Sequence, residues 1–175
     1  MKSYKLNEHE KALWVILKDD GRFPNNGKLP LLLYVGVLKL SEGASSVESL
    51  FYKNRWLYSW RDGVYGFHHY HSTAHEVLGV YGGSAEVQFG GEDGIKSIVN
   101  TGDVVVIPAG VSHKKVKSSA GFSVIGAYPK GQMVDMQYGN DGERPRTDQN
   151  IARLSYPETD PVYGTAGPLL DLWKG

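Results

Sequence analysis

Histidine clustering is the chemical signal of this chain. Four of the six histidines, His68, His69, His71 and His75, fall within eight residues, and a fifth is His113. Imidazole is a frequent metal ligand and the side chain that titrates near neutrality. In extended chain alternate side chains share a face, so His69 and His71 point one way while His68 and Tyr70 point the other. Ser72-Thr73-Ala74 reads as a turn, and a hairpin returning through His75-Glu76-Val77-Leu78 puts Glu76 on the face of the two histidines. Two imidazoles and a carboxylate then converge on a divalent ion. A fourth ligand from a distant strand would leave positions open to water or substrate. The chain has no cysteine, so disulfides, thiolate catalysis and cysteine-bound zinc or iron–sulfur clusters are excluded. Nitrogen and oxygen donors leave manganese, iron, nickel, cobalt and zinc as candidates.

The same parity nominates a pocket. Tyr65 and Phe67 share the face of His69 and His71, Leu78 and Val80 follow Glu76 on its face, and Lys115 shares the parity of His113. An inward Lys115 puts an ammonium near the ion, whereas a bulge turns it outward. His68 and His75 face away and are expected to support the ligands by hydrogen bonds rather than to bind the ion. Glu76 is not followed by the second histidine that a zinc-protease helix requires, and His9 stands alone as a solvated residue.

The elements that must position these residues read as mostly β. The chain's 22 glycines are dispersed between short apolar runs, as in the turns of a barrel or sandwich. Leu29 to Leu40 is extended chain, either buried on both faces or an edge strand covered by a partner. Residues of about 45–60 carry a helical stripe, with Ser45 and Glu48 as a capping box and Trp56 and Trp60 packed in the core. From Val64 onward the pattern is β, with turns at Gly82-Gly83, Gly90-Gly91, Asp93-Gly94 and Thr101-Gly102, and strands at Val104–Ile107 and Phe122–Tyr128. Residues 129–150 read as an excursion and 157–175 as irregular chain that wraps the barrel, anchored by Trp173.

Two spacings match a family. Gly63, His69, His71, Glu76 and Gly83 form one motif, and Gly102, Pro108, Gly110 and His113 a second. Together they resemble the two sequence motifs of the cupins. The resemblance implies an all-β double-stranded β-helix, the jelly-roll barrel, in one domain over residues 1–175, with an N-terminal arm and a short helix. The barrel core is expected over about 29–130 and a wrapping tail over about 131–175. It also implies that His69, His71, Glu76 and His113 bind one divalent metal ion. Where the second motif carries Asn, this chain has Lys117. The stretches from Phe23 to Tyr34 and Asn54 to Trp60, with those around both motifs and at Asp160–Gly164, are similar to the YjlB-type single-domain cupins of bacteria.

Formal net charge is zero and basic residues are interspersed with acidic ones, so neither nucleic acid nor an anionic membrane is an expected partner. The N-terminal residues lack a signal-peptide pattern and no apolar stretch is long enough to span a bilayer, which makes a cytoplasmic location the expectation. The expected function is a metal-dependent enzyme of dioxygenase or isomerase type acting on a small oxygenated molecule. The alternatives are a metal-dependent ligand-binding or sensor protein without turnover, and a barrel that the metal only stabilises. A small-molecule ligand and a homodimer partner, paired through the Leu29–Leu40 run, complete the expectation.

Overall fold

The computed structural model describes residues 6–174. In chain order the elements are β1 (Asn7–His9), β2 (Ala12–Leu17), β3 (Asn26–Tyr34), α1 (Ala44–Lys53), β4 (Trp56–Asp62), β5 (Glu76–Gly82), β6 (Ser84–Phe89), β7 (Ile95–Asn100), β8 (Val104–Ile107), β9 (His113–Ser118), β10 (Ser123–Pro129), α2 (Arg146–Arg153) and α3 (Pro168–Leu172). The strands form a seven-stranded sheet in the order β1-β2-β3-β8-β5-β10-β4 and a three-stranded sheet in the order β7-β6-β9. Every pairing is antiparallel, the jelly-roll arrangement that the two motifs imply.

Apolar burial on both sides of the large sheet explains its continuous hydrophobic runs. Leu31 and Leu33 of β3, Leu78 and Val80 of β5, and Val105 and Ile107 of β8 point into the barrel, where they meet Val87, Phe89 and Val99 of the small sheet. Their alternates Leu32, Tyr34, Val77, Val104 and Val106 point outward into a second core built with Val47 and Phe51 of α1, Leu169 of α3 and Trp173. Each such side chain contributes about 2 kcal/mol through burial. Gly79 lets α1 come this close, because a Cβ there would stand 2.6 Å from Val47 Cγ1 and 2.9 Å from Phe51 Cζ. The C-terminal tail is tied over this outer core by Trp173 Nε1 to the Pro30 carbonyl (2.9 Å), Trp56 Nε1 to the Thr159 carbonyl (3.0 Å) and Tyr34 Oη to Asp160 (2.7 Å).

Several local expectations are corrected. The helix ends at Lys53, and residues 56–62 are strand β4. Arg55 takes the left-handed conformation (φ 63°) and turns the chain, after which Leu57 and Trp60 pair with Tyr128 and Gly126 of β10. Leu57 and Trp60 fall on the helical stripe of α1 only by coincidence of period. The capping box is not made: Gly43 is the N-cap, and the Glu48 carboxylate instead accepts two bonds from Arg61, at 2.7 and 2.8 Å. Helices α2 and α3 occupy tail segments expected to be irregular. The N-terminal stretch expected as an arm contributes β1 and β2 to the sheet. Strand β3 lies between β2 and β8, so within the Leu29–Leu40 run the chain itself covers Leu29–Tyr34, while Val35 is exposed.

Candidate metal centre

The segment from Val64 to His71, expected as β, is mostly irregular and pairs through isolated bridges. His69 bridges His113, with the His69 amide on the His113 carbonyl at 3.2 Å and the reverse bond at 2.9 Å, while Tyr70 bridges Gln137. The chain thus changes hydrogen-bonding partner from one residue to the next. The expected hairpin between His71 and Glu76 does not form, because β5 pairs with β8 and β10 instead. The side-chain outcome is nevertheless convergence: His69, His71 and His113 each present a nitrogen within 4.8 Å of the others. Glu76 Oε2 stands 3.1 Å from His71 Nε2 and 3.2 Å from His113 Nε2. All four residues are buried.

Backbone carbonyls orient the three rings. Nδ1 of His69 faces Phe67 O at 3.1 Å, Nδ1 of His71 faces Asp135 O at 2.5 Å, and Nδ1 of His113 faces Val111 O at 3.2 Å. Carbonyls only accept, so each Nδ1 carries the proton and each Nε2 offers a lone pair. The Nε2 lone pairs of His71 and His113 then confront the Glu76 carboxylate, an arrangement that requires a cation between them, either proton or metal. Ligands at right angles on an ion with bonds of about 2.1 Å stand about 3 Å apart, the separation of Glu76 Oε2 from His71 and His113 Nε2. The three buried imidazoles could hold a metal ion.

Charge behaviour follows from the same contacts. Burial raises the Glu76 carboxyl, but His71 and His113 outweigh it and hold Glu76 well below the usual carboxylate range. Burial disfavours charge on His71, and Glu76 outweighs that to raise it above its ordinary value. His69 does not contact the carboxylate, and burial together with His113 pushes it down to about 3.

A cavity of about 400 Å³ opens over the four residues, lined further by Trp60, Arg61, Asp62, Gly63, Val64, Tyr65, Leu78, Lys115, Tyr128 and Met136. Tyr65, Leu78 and Lys115 thus lie where parity puts them. Phe67 and Val80 do not line it: Phe67 stacks behind Tyr65 at 4.9 Å between centroids, and Val80 sits in the barrel core. The bulge in β9 falls one residue beyond Lys115. Lys115 opposes Val87 and Lys117 opposes Glu86, so Val116 is the extra residue and Lys117, not Lys115, is turned outward.

His68 and His75 make no hydrogen bond to any of the four residues. His68 packs against Phe23 (5.3 Å) with Nε2 3.1 Å from Glu92. His75 packs against Trp173 (4.8 Å) and accepts the Ala109 amide at Nδ1 (2.9 Å). Side chains one position from a ligand in irregular chain leave the site altogether, which is why neither supports it directly.

Three contributors escape sequence reasoning. Trp60 is hidden by the helix expectation. Tyr128 has the parity of Val124, an inward residue of β10, and was reachable by that signal. Its Oη accepts Trp60 Nε1 at 2.8 Å, and burial together with the Glu76 charge raises its pKa. Asp135 lies in a polar excursion without periodicity and carries no signal. Its carboxylate accepts the Ser72 amide (2.6 Å), the Thr73 amide (3.2 Å), the Ser72 hydroxyl (2.5 Å) and the Gln137 amide (2.9 Å), while its own carbonyl holds His71.

A family model described as Cupin matches residues 62–131. The uncharacterized protein YjlB of Bacillus subtilis (strain 168) is 43% identical over 155 residues, covering 89% of this chain and 92% of YjlB. Among solved structures, procruciferin, an 11S globulin of Brassica napus, is similar at 18% identity and TM-score 0.37, over 76% of this chain and 28% of that chain. A DUF861-family protein of Thermotoga maritima is similar at 23% identity and TM-score 0.32, over 53% of this chain and 96% of that chain.

Proposed function

The chain belongs to the cupin family, and from that premise we propose that it is a divalent-metal-dependent enzyme of dioxygenase or isomerase type acting on a small oxygenated molecule. His69, His71, Glu76 and His113 hold the ion in this reading. One observation carries it: Nε2 of two carbonyl-oriented histidines face a buried carboxylate at the floor of an open cavity. Structural metal sites are usually closed, whereas catalytic ones keep a position open. When bound, the ion acts as a Lewis acid toward a carbonyl or enolate oxygen. The protein supplies the rest. Tyr128 Oη accepts a hydrogen bond from the Trp60 indole N–H, and its raised pKa keeps its own proton, which makes it a hydrogen-bond donor beside Glu76. The cavity volume lies within the usual range for small-molecule sites. Among the described residues no helix is long and apolar enough to cross a membrane.

Elemental analysis of protein prepared without an affinity tag is expected to find one divalent ion per chain after reconstitution. In Mn(II)-loaded protein, water-proton relaxation is expected to report an exchangeable water. Sub-stoichiometric metal in every preparation sinks the metal centre. Stoichiometric metal with no exchangeable water favours a structural ion, and small-ligand binding without any turnover favours a sensor.

A further inference from the structure

Lys115 is the cation of the cavity that lacks an acidic partner. It is half-buried, lines the cavity and makes no ion pair among the described residues. Its neighbours Lys114 and Lys117 reach Glu92 and Glu86 at 3.0 and 3.5 Å. The pairing of His113 with Phe89 and of Lys115 with Val87, both partners being barrel-core residues, directs Lys115 to the side of the ligands. Its amide donates to the Tyr65 carbonyl at 2.8 Å, which ties it to the wall of the cavity. The other charges nearby are committed. Glu76 faces two imidazoles, Arg61 is neutralised by Glu48, and exposed Asp62 accepts the Gly63 amide at 2.7 Å. A divalent ion with one carboxylate remains positive, so with Lys115 the cavity floor carries excess positive charge. Withdrawing an ammonium from water without a counter-charge is costly, and an anionic ligand removes that cost.

The walls add shape. Tyr65 lines the cavity with Phe67 stacked behind it at an interplanar angle of 17°. Both rings are about half exposed, at 52% and 47%. Trp60 also lines the cavity and is immobilised by its bond to Tyr128. Its indole covers Gly126, where a Cβ would come within 2.1 Å of the ring. Rigid aromatic faces favour flat, apolar bodies.

Building on the metal-centre reading, we propose that this site takes a small planar carboxylate bearing a second oxygen: the carboxylate meets Lys115, the flat body lies against Tyr65 and Trp60, and an oxygen is directed to the histidines. Lys115 and Tyr65 are then specificity-determining residues.

The test is calorimetric titration of Mn(II)-loaded protein with three probes: salicylate, its neutral amide, and lactate as a non-planar hydroxy acid. Salicylate is expected to bind more tightly than both. Lys115→Met is expected to weaken salicylate by about tenfold or more, as for loss of a charge-assisted hydrogen bond, and Lys115→Arg to recover most of that loss. Tyr65→Ala is expected to weaken salicylate by a few-fold and leave lactate unchanged. Unchanged stoichiometric metal in each variant separates a lost pocket contact from a lost ion. Failure of salicylate to bind the Mn(II)-loaded protein, or equal binding by Lys115→Met, overturns the proposal. Failure of the protein to take up Mn(II), Fe(II), Co(II), Ni(II) and Zn(II) alike overturns the metal-centre reading instead. Titration of the metal-free protein then decides the pocket, where Lys115-dependent salicylate binding upholds the planar-carboxylate assignment and its absence overturns it.

Discussion

Five histidines are buried in this fold, and they divide into two groups that differ in what their nitrogens face. His69, His71 and His113 have Nδ1 on backbone carbonyls and bring their rings together, with Nε2 of His71 and His113 turned to Glu76. His68 and His75 sit in separate aromatic surroundings beside Phe23 and Trp173. Burial is common to both groups and does not distinguish them, since His69 and His75 are each held down to about 3 chiefly by desolvation. The difference is convergence on a carboxylate. A buried histidine becomes a ligand candidate when its tautomer is fixed and its free lone pair meets other donors.

Removing a member of the convergent group is the most severe way to break this contrast. His69→Ala, His71→Ala and His113→Ala are each expected to lower metal affinity more than the 10–100-fold typical of groups that only orient ligands, measured by chelator competition. His68→Ala behaving like His71→Ala would erase the distinction. Asp135→Asn comes next, with an expected loss of about 10–100-fold, because an amide cannot accept all four of the donors that the carboxylate holds while its carbonyl orients His71. Asp135→Asn with wild-type affinity would make the clamp irrelevant to the site.

Acidification sharpens the contrast with opposite signs. In the metal-free fold Glu76 outweighs burial and raises His71, so the protonated ring stabilises that fold at low pH, a contribution lost as pH rises through the raised value. Metal needs the neutral ring. Affinity is therefore highest above His71's raised pKa and is expected to fall about tenfold per pH unit below it, as read by metal release across pH 7.5–5. His75 acts differently. Its pKa is lowered from 6.5 to about 3, so between those values the unfolded chain binds a proton that the folded chain does not. Stability falls with pH across that window, by at most about 1.4 kcal/mol per unit from this residue. His75→Gln is expected to keep its metal and flatten that slope in denaturant titrations. The smallest effect belongs to His68→Ala, expected to retain stoichiometric metal.

Much of the barrel is legible because strand periodicity is local. The Leu29–Leu40 run reads as extended chain, either buried on both faces or covered by a partner, and Val104–Ile107 reads as a strand; in β3 and β8 both faces are filled within the chain. The overrun of the helix into Trp56–Trp60 shows the limit. A period of 3.6 fits five apolar residues across a boundary that is made by the left-handed Arg55 and by pairing with β10. The segment 64–75 fails for a related reason, since its backbone bonds go to His113 and Gln137, partners that no local pattern announces.

By itself the sequence determined the donor types, the absence of thiols, and two motif spacings that single out His69, His71, Glu76 and His113, because composition and spacing are properties of the chain alone. Tertiary structure decided how those residues meet: a bridge between His69 and His113 in place of a hairpin, a bulge at Val116 that sends Lys117 out and leaves Lys115 in, and a clamp at Asp135. Each depends on register between segments that are not neighbours in the chain, and a shift of one residue there exchanges the faces of a strand.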